Sequence, residues 1–261
     1  MQSFNFHTHT KRCGHATGEE EAYVKAAIEA GYKVLGFSDH APYKQRYSWD
    51  ERMHEDEYPL YCKEVRRLQK VYKDQIQIYL GLEIEYYEEQ LEELKAYREE
   101  LDFCILGQHS YTVMGHNYFV DCDDRWVLVY ANQIRKACEM GFVDIIAHPD
   151  LFMISRSTWS KACEEAACII CETSNRFQIP LELNLGGLRY GKKQKGKELR
   201  YVYPYRPLWE IVAEYGCPVI YGLDAHSPDY VGRKDIFKIA DEVVKDLPLN
   251  FLKEFKPMGC K

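Results

Sequence analysis

Seven short apolar, β-branched or aromatic runs punctuate the chain, at residues 3–9, 33–38, 76–85, 103–108, 143–147, 181–185 and 218–223. Each is followed by a helix-like or loop segment, with mixed charged and apolar periodicity across 19–30, 57–72, 87–100, 125–140, 157–177, 207–215 and 231–245. Strands alternating with helices imply parallel pairing, in either a barrel or a doubly wound sheet. The polar residues separate the two. His7 and His9, then His40, Glu83, His109, His148 and the pair Asp224 and His226, fall at the C-terminal ends of these runs. Loops leaving barrel strands converge on one mouth, whereas an open sheet spreads such residues along a line. The expectation is therefore an α/β chain, a closed barrel of seven strands. It forms a single domain over 1–261, since no linker divides it and its length suffices for one large core.

The formal charge is −7, with carboxylates scattered from Glu19 to Asp246. A nucleic-acid or membrane-surface binder needs a basic face, so the expected partner is a small molecule, with no nucleic acid and no membrane. No apolar leader follows Met1 and no stretch of about eighteen apolar residues occurs, which gives cytoplasm as the expected location. The ten cysteines are irregularly spaced, and Cys104 and Cys217 lie in or beside apolar runs, as buried reduced thiols do. The Cys168-x-x-Cys171 pair falls on a helix-like face without a second pair, so packing is expected there.

In an extended strand side chains alternate, so His7 and His9 project from one face and can reach a single ion. A lone histidine at a strand end is ordinarily a satisfied polar residue. Five strands each placing imidazole or carboxylate at one mouth are different, because unpaired burial of such groups is costly and a divalent ion offsets it. His54, in a polar loop, and His116, in a turn, are expected to be ordinary surface residues. Asp39 and Asp150 adjoin the candidate ligands and either orient an imidazole or cap a helix.

His7-x-His9, His15, Ser38-Asp39-His40, Gly81-Leu82-Glu83, Gln108-His109-Ser110, Ala147-His148-Pro149-Asp150 and Asp224-Ala225-His226 together resemble the PHP (polymerase and histidinol phosphatase) superfamily, in the family's order. The resemblance implies a distorted seven-stranded (β/α)7 barrel and three divalent metal ions. It further implies His7, His9, Glu83 and Asp224 on the first ion, Glu83, His109 and His148 on the second, and His15, His40 and His226 on the third. Glu83 then bridges two ions, a role suited to a carboxylate with its two oxygens rather than to an imidazole. Mixed nitrogen and oxygen donors suit zinc, manganese or iron alike.

Within the superfamily, Ser38-Asp39-His40-Ala41-Pro42-Tyr43, Glu182-x-Asn184 with Gly187-Leu188-Arg189, and Tyr203-Pro204 are similar to histidinol-phosphate phosphatases. Two features depart from that pattern. The stretch 189–202 is longer and more basic, either a solvated loop or an attractor for a phosphate dianion, and Leu223 stands where Ser is common.

The implied activity is metal-dependent hydrolysis of a phosphomonoester, foremost L-histidinol phosphate in histidine biosynthesis. The nucleophile is a metal-bridging hydroxide, with Glu83, Asp224 and His226 at the reacting centre. An arginine should complete the phosphate clamp, because guanidinium matches two phosphate oxygens at once. Arg156, just past His148, is the first candidate, then Arg189 and Arg12. Tyr43, Tyr47, Asp50 and Tyr111 are available to read the leaving group. Two alternatives stand beside this reading: a PHP phosphatase for a sugar phosphate, nucleotide or phosphotyrosine, and a non-catalytic metal-binding module. Intact ligands argue against the latter.

Overall fold

A computed structural model describes residues 2–44 and 51–258. One parallel sheet of eight strands carries the fold: β1 (Phe4–Asn5), β2 (Val34–His40), β3 (Gln77–Ile84), β4 (Phe103–Leu106), β5 (Ile145–Ile146), β6 (Leu181–Asn184), β9 (Pro218–Gly222) and β10 (Asn250–Phe251), hydrogen-bonded in that order. Seven are the strands expected from the sequence. The eighth, β10, is a two-residue addition beyond β9. Between β6 and β9 the chain makes a small antiparallel hairpin, β7 (Lys193–Lys195) and β8 (Glu198–Arg200).

The sheet curls back on itself through its first and seventh strands. Thr8 forms a parallel bridge with Ala225, and His9 N–H donates to the Ala225 carbonyl at 2.9 Å. Below that bridge the seam is closed by side chains. The Gln2 amide bonds the Tyr221 backbone, and Asn5 Oδ1 accepts from Leu223 N–H at 2.9 Å. Amide side chains carry both a donor and an acceptor, so they can continue a ladder where the two backbones do not meet.

Helices cover the outside: α1 (Glu20–Glu29), α2 (Tyr58–Val71), α3 (Leu91–Glu100), α4 (Asp124–Glu139), α5 (Lys161–Phe177), α6 (Arg206–Tyr215), α7 (Pro228–Val231) and α8 (Asp235–Val243). Local chemistry sets their ends. Asp123 caps α4 by accepting from Trp126 N–H at 3.0 Å, and Pro207 stands in the first turn of α6, which Gly216 terminates in the left-handed region at φ 62°. The expected helix over 231–245 is two helices, interrupted at Gly232–Lys234. None is long and apolar enough to cross a membrane.

Burial divides into two bodies of apolar side chains. The larger lies between the sheet's outer face and the helices. The smaller fills the lower lumen with Phe4, Phe6, Phe103, Ile105, Ile145 and Ile220. Phe6 meets Phe103 edge-on at 5.1 Å and Phe255 edge-on at 5.3 Å, geometries that the aromatic quadrupole favours. Gly36 and Gly81 make this possible, because a Cβ at either would collide with the Phe103 ring.

Candidate metal centre

Parallel register carries lumen-facing positions across the sheet, so His40 on β2 stands beside Glu83 on β3, which stands beside Ile105 on β4. Above the aromatic plug, the same faces turn polar. The Glu83 carboxylate occupies the middle: Oε2 lies 3.0 Å from His40 Nδ1, 3.4 Å from His9 Nε2 and 3.5 Å from His7 Nε2. Its other oxygen, Oε1, lies 3.0 Å from His148 Nε2 and 3.5 Å from His109 Nε2. Asp224 Oδ1 closes the first group, 3.7 Å from His7 Nε2 and 3.4 Å from His9 Nε2. A third group forms at the rim, where His226 Nε2 and His15 Nε2 approach to 2.9 Å beside His40. All nine donors expected from the sequence are thus brought to one mouth.

Backbone irregularity places several of them. β1 loses its regular pleat after Asn5, and Phe6 and His7 then both face the lumen, one in the aromatic plug and one among the donors. His148 and Asp224 adopt positive φ, 28° and 49°, conformations that side chains other than glycine rarely take. Such strain persists where the surrounding fold overdetermines it, typically at functional sites. Gly107 and Gly222 leave room for the Glu83 and Glu182 carboxylates, which a Cβ at either would overlap.

In four of the imidazoles the second nitrogen has a partner of its own, which leaves the first for the centre, while His9 Nδ1 and His148 Nδ1 are buried without one. His7 Nδ1 faces Glu182 Oε1 at 2.9 Å, which assigns a proton to Nδ1 and leaves Nε2, 3.1 Å from His9 Nε2, as the nitrogen that offers a lone pair once its own proton has left. His109 Nδ1 likewise faces Glu85 Oε1 at 3.0 Å, and Arg52 anchors Glu85 with two guanidinium nitrogens. At the rim, backbone carbonyls serve: Cys13 O for His15 Nδ1 and Asp224 O for His226 Nδ1, both at 3.0 Å. Glu83 Oε2 and His40 Nδ1 are buried without a hydrogen bond of good geometry. Converging lone pairs and an unsatisfied buried carboxylate oxygen are the state that cations relieve, so the donor set fits divalent ions.

The electrostatics of the ion-free centre agree. Burial opposes ionisation of Glu83, yet His40, His7 and His109 outweigh it and hold the carboxyl well below its usual range. Asp224 behaves alike: burial works against its charge, and His7 and His226 prevail. Burial also opposes protonation of His7, but Glu182, Asp224 and Glu83 raise it well above the ordinary imidazole value. Half-buried at the rim beside His9, His226 is lowered to about 4 by partial desolvation and the neighbouring imidazole. A group with this charge balance holds protons where ions would sit.

The three arginines part company. Arg189 lines the cavity of about 720 Å³ over the donors, with Nη2 4.0 Å from Asp224 Oδ2 and its guanidinium packed against Tyr230. Arg156 does not face the mouth as expected. The turn at Leu151–Ile154 swings it outward, where it donates to Cys122 O and Asp124 Oδ1, both at 2.6 Å. Arg12 is likewise turned aside, its Nε 2.5 Å from Glu20 Oε1 in a lateral groove. The basic stretch 189–202 carries a short antiparallel hairpin, with Lys192, Lys193 and Lys197 exposed. Its hairpin is pinned by Lys195 to Ile154 O and by Arg200 to Met153 O and Arg156 O, which uses that charge on backbone carbonyls.

Other expectations resolve as follows. Asp39 Oδ2 accepts from Thr10 N–H at 3.1 Å and from Thr10 Oγ1 at 2.5 Å, and its other oxygen stands 3.7 Å from His9 Nδ1 without a hydrogen bond. Asp150 instead receives Tyr205 N–H and Trp209 Nε1–H, tying down the entry of α6. His54 is exposed and His116 stacks on Trp126 at 3.8 Å, away from the donors. Tyr43 is buried with its hydroxyl on Glu85, Tyr111 packs against Trp126, and Tyr47 and Asp50 lie outside the described residues. The described cysteines are unpaired and, Cys168 apart, buried. Glu182, Glu85 and Arg52 were not singled out from the sequence for a role at the site. The signal for Glu85 was present, since it shares the strand face of Glu83 two residues on.

Comparison with known proteins follows the same lines. A probable histidinol-phosphatase from Deinococcus radiodurans is 28% identical over 246 residues, covering 91% of this chain and 90% of that protein. The histidinol-phosphatase of Bacillus subtilis is 30% identical over 119 residues, 42% of this chain and 44% of that one. In three dimensions, the histidinol phosphate phosphatase of Lactococcus lactis, crystallised with zinc, L-histidinol and phosphate, superposes with a TM-score of 0.73 over 100% of this chain and 98% of its own, at 18% identity. The sequence pattern of the PHP domain matches residues 5–184, and the chain belongs to the PHP domain family.

Proposed function

We propose that this chain is a metal-dependent phosphomonoesterase that hydrolyses L-histidinol phosphate to L-histidinol and phosphate. The observation that carries this reading is the grouping of five imidazoles about the two oxygens of Glu83, with Asp224 and the rim pair His15 and His226 beside them, beneath a cavity that Arg189 lines. Relatives aligned over nine-tenths of the chain and named for histidinol phosphatase activity supply the substrate.

Three divalent ions fit the three groups. His7, His9, Asp224 and Glu83 Oε2 would hold one, Glu83 Oε1, His109 and His148 the second, and His15, His40 and His226 the third. When bound, such ions neutralise phosphate oxygens and acidify coordinated water, so that solvent attacks phosphorus without a protein nucleophile. Glu83 holds two of the groups at fixed separation through its two oxygens. Glu182 and Glu85 keep protons on the outward nitrogens of His7 and His109, so that the inward lone pairs are the ones offered to an ion. Arg189 takes two non-bridging phosphate oxygens and opposes the charge that accumulates on them during in-line displacement.

The test is phosphate release by manganese- or zinc-loaded protein from L-histidinol phosphate beside sugar phosphates, nucleotides and phosphotyrosine. A preference in kcat/KM of about a hundredfold for histidinol phosphate, worth about 2.7 kcal/mol, supports the assignment. Equal turnover of the whole panel would leave a phosphatase of another substrate, and no turnover at all would leave a binding module.

A further inference from the structure

We infer that Phe119 forms the shelf on which the leaving group's planar ring lies, which makes it the residue that selects an imidazole-bearing ester over an aliphatic one. This rests on the proposed phosphatase reading and deepens it. The phosphate end of the cavity is marked by charge, at Arg189 and Asp224. Beside His109 the lining is different: Phe119 and Val120 border the same cavity with apolar surface, 37% and 79% exposed. Apolar groups bordering a cluster of imidazoles and carboxylates do not help to hold ions. They fit the part of an ester that is not phosphate.

The shape of this flank is specific. The Phe119 ring lies nearly parallel to that of His109, 17° between planes and 5.3 Å between centroids. A parallel imidazole already occupies one face of Phe119, and its remaining exposed surface borders the cavity. Offset stacking of a second five-membered ring is the contact such a face favours.

The shelf is also rigid. Tyr118 N–H donates to His109 O at 3.0 Å, the Tyr118 hydroxyl is buried on Gln133, and Phe119 N–H donates to Asn117 Oδ1 at 2.8 Å. Tyr118 thus locks the turn from behind while Phe119 is presented in front. A ring held before the ligand arrives loses little entropy on binding.

Phe119→Ala separates this role from mere support of His109. The comparison uses L-histidinol phosphate and O-phosphoethanolamine, an amino-alcohol phosphate that lacks the ring, together with calorimetric binding of L-histidinol to the ion-loaded protein. The expected result is a loss in kcat/KM roughly tenfold larger for the ring-bearing ester, carried by KM, with L-histidinol binding weakened by a similar factor. Met114→Ala, in the preceding turn and 61% exposed, should leave both esters unaffected. Equal losses on the two esters, or unchanged L-histidinol binding, would overturn the shelf. If the unmodified protein fails to turn over histidinol phosphate yet binds L-histidinol through Phe119, the reaction is withdrawn and the shelf stands.

Discussion

At the lower end of the lumen Phe6 meets Phe103 at 5.1 Å, while a few residues further along the same strands His7, His40 and Glu83 converge at 3.0–3.5 Å. Both regions are almost fully buried and both depend on glycines that make room, Gly36 and Gly81 below, Gly107 and Gly222 above. They differ in what burial does. Removing Phe103 from water stabilises the fold directly, whereas removing Glu83, Asp224 and the imidazoles from water costs free energy that only ions and mutual pairing offset. The lower half therefore holds the barrel together so that the upper half can be held in an unfavourable arrangement. The strained φ angles at His148 and Asp224 belong to the same division of labour.

Substitutions in the two halves should fail in opposite ways. Glu83→Gln should lower turnover by about 10³-fold at a smaller cost in folding stability than Phe103→Ala, since only the pairing of the carboxylate with its histidines is lost, measured by phosphate release and by melting in chelator. A large loss of ion-free stability would break the comparison. Phe103→Ala, below, should cost about 3–5 kcal/mol of stability in denaturant titration, with kcat largely kept in the fraction that stays folded. A drop in kcat as large as that of Glu83→Gln would erase the distinction between the halves.

Finer contrasts sharpen it within the upper half. Arg189→Ala should reduce kcat/KM by about a hundredfold, and Arg189→Lys should recover only part of this because the two-pronged contact is lost. Glu182→Gln should weaken ion binding by about 10–100-fold, read by competition with a chromogenic chelator. That affinity should also fall as pH is lowered. His7 is raised above its usual value in the ion-free protein, so below that value a proton must leave before an ion enters. The smallest effect belongs to Arg156→Ala and Arg12→Ala, each within about threefold of the parent in kcat/KM, since both serve peripheral ion pairs.

Much of this was legible in the sequence because strand ends and ligands coincide there. His40 closes β2 and Glu83 lies in the last turn of the pleat in β3, so period-two alternation and strand order fix which face they share. Among the arginines, Arg189 was named from the sequence and lines the cavity, whereas the directions of Arg156 and Arg12 were not legible. Arg156 follows a short turn whose direction depends on how Leu151, Phe152 and Met153 bury, and Arg12 depends on Glu20, eight residues on in the next helix. Proximity in sequence to a ligand does not set the direction of a side chain leaving a turn. The hairpin at 193–200 turns at Gly196, φ 59°, but its anchor points at Ile154, Met153 and Arg156 are distant in sequence. Glu182 stood in plain view within a quoted motif. Its role emerges only when the sheet closes and sets β6 one strand away from β1, beyond β9, which brings it to 2.9 Å from His7.

X-ray diffraction from crystals of manganese-loaded protein, collected on both sides of the manganese absorption edge, tests the central claim most directly. The account predicts three anomalous peaks at the top of the lumen, two of them sharing Glu83, each within about 2.0–2.4 Å of its donors. An upper lumen without peaks in protein shown to be ion-loaded and active would contradict it.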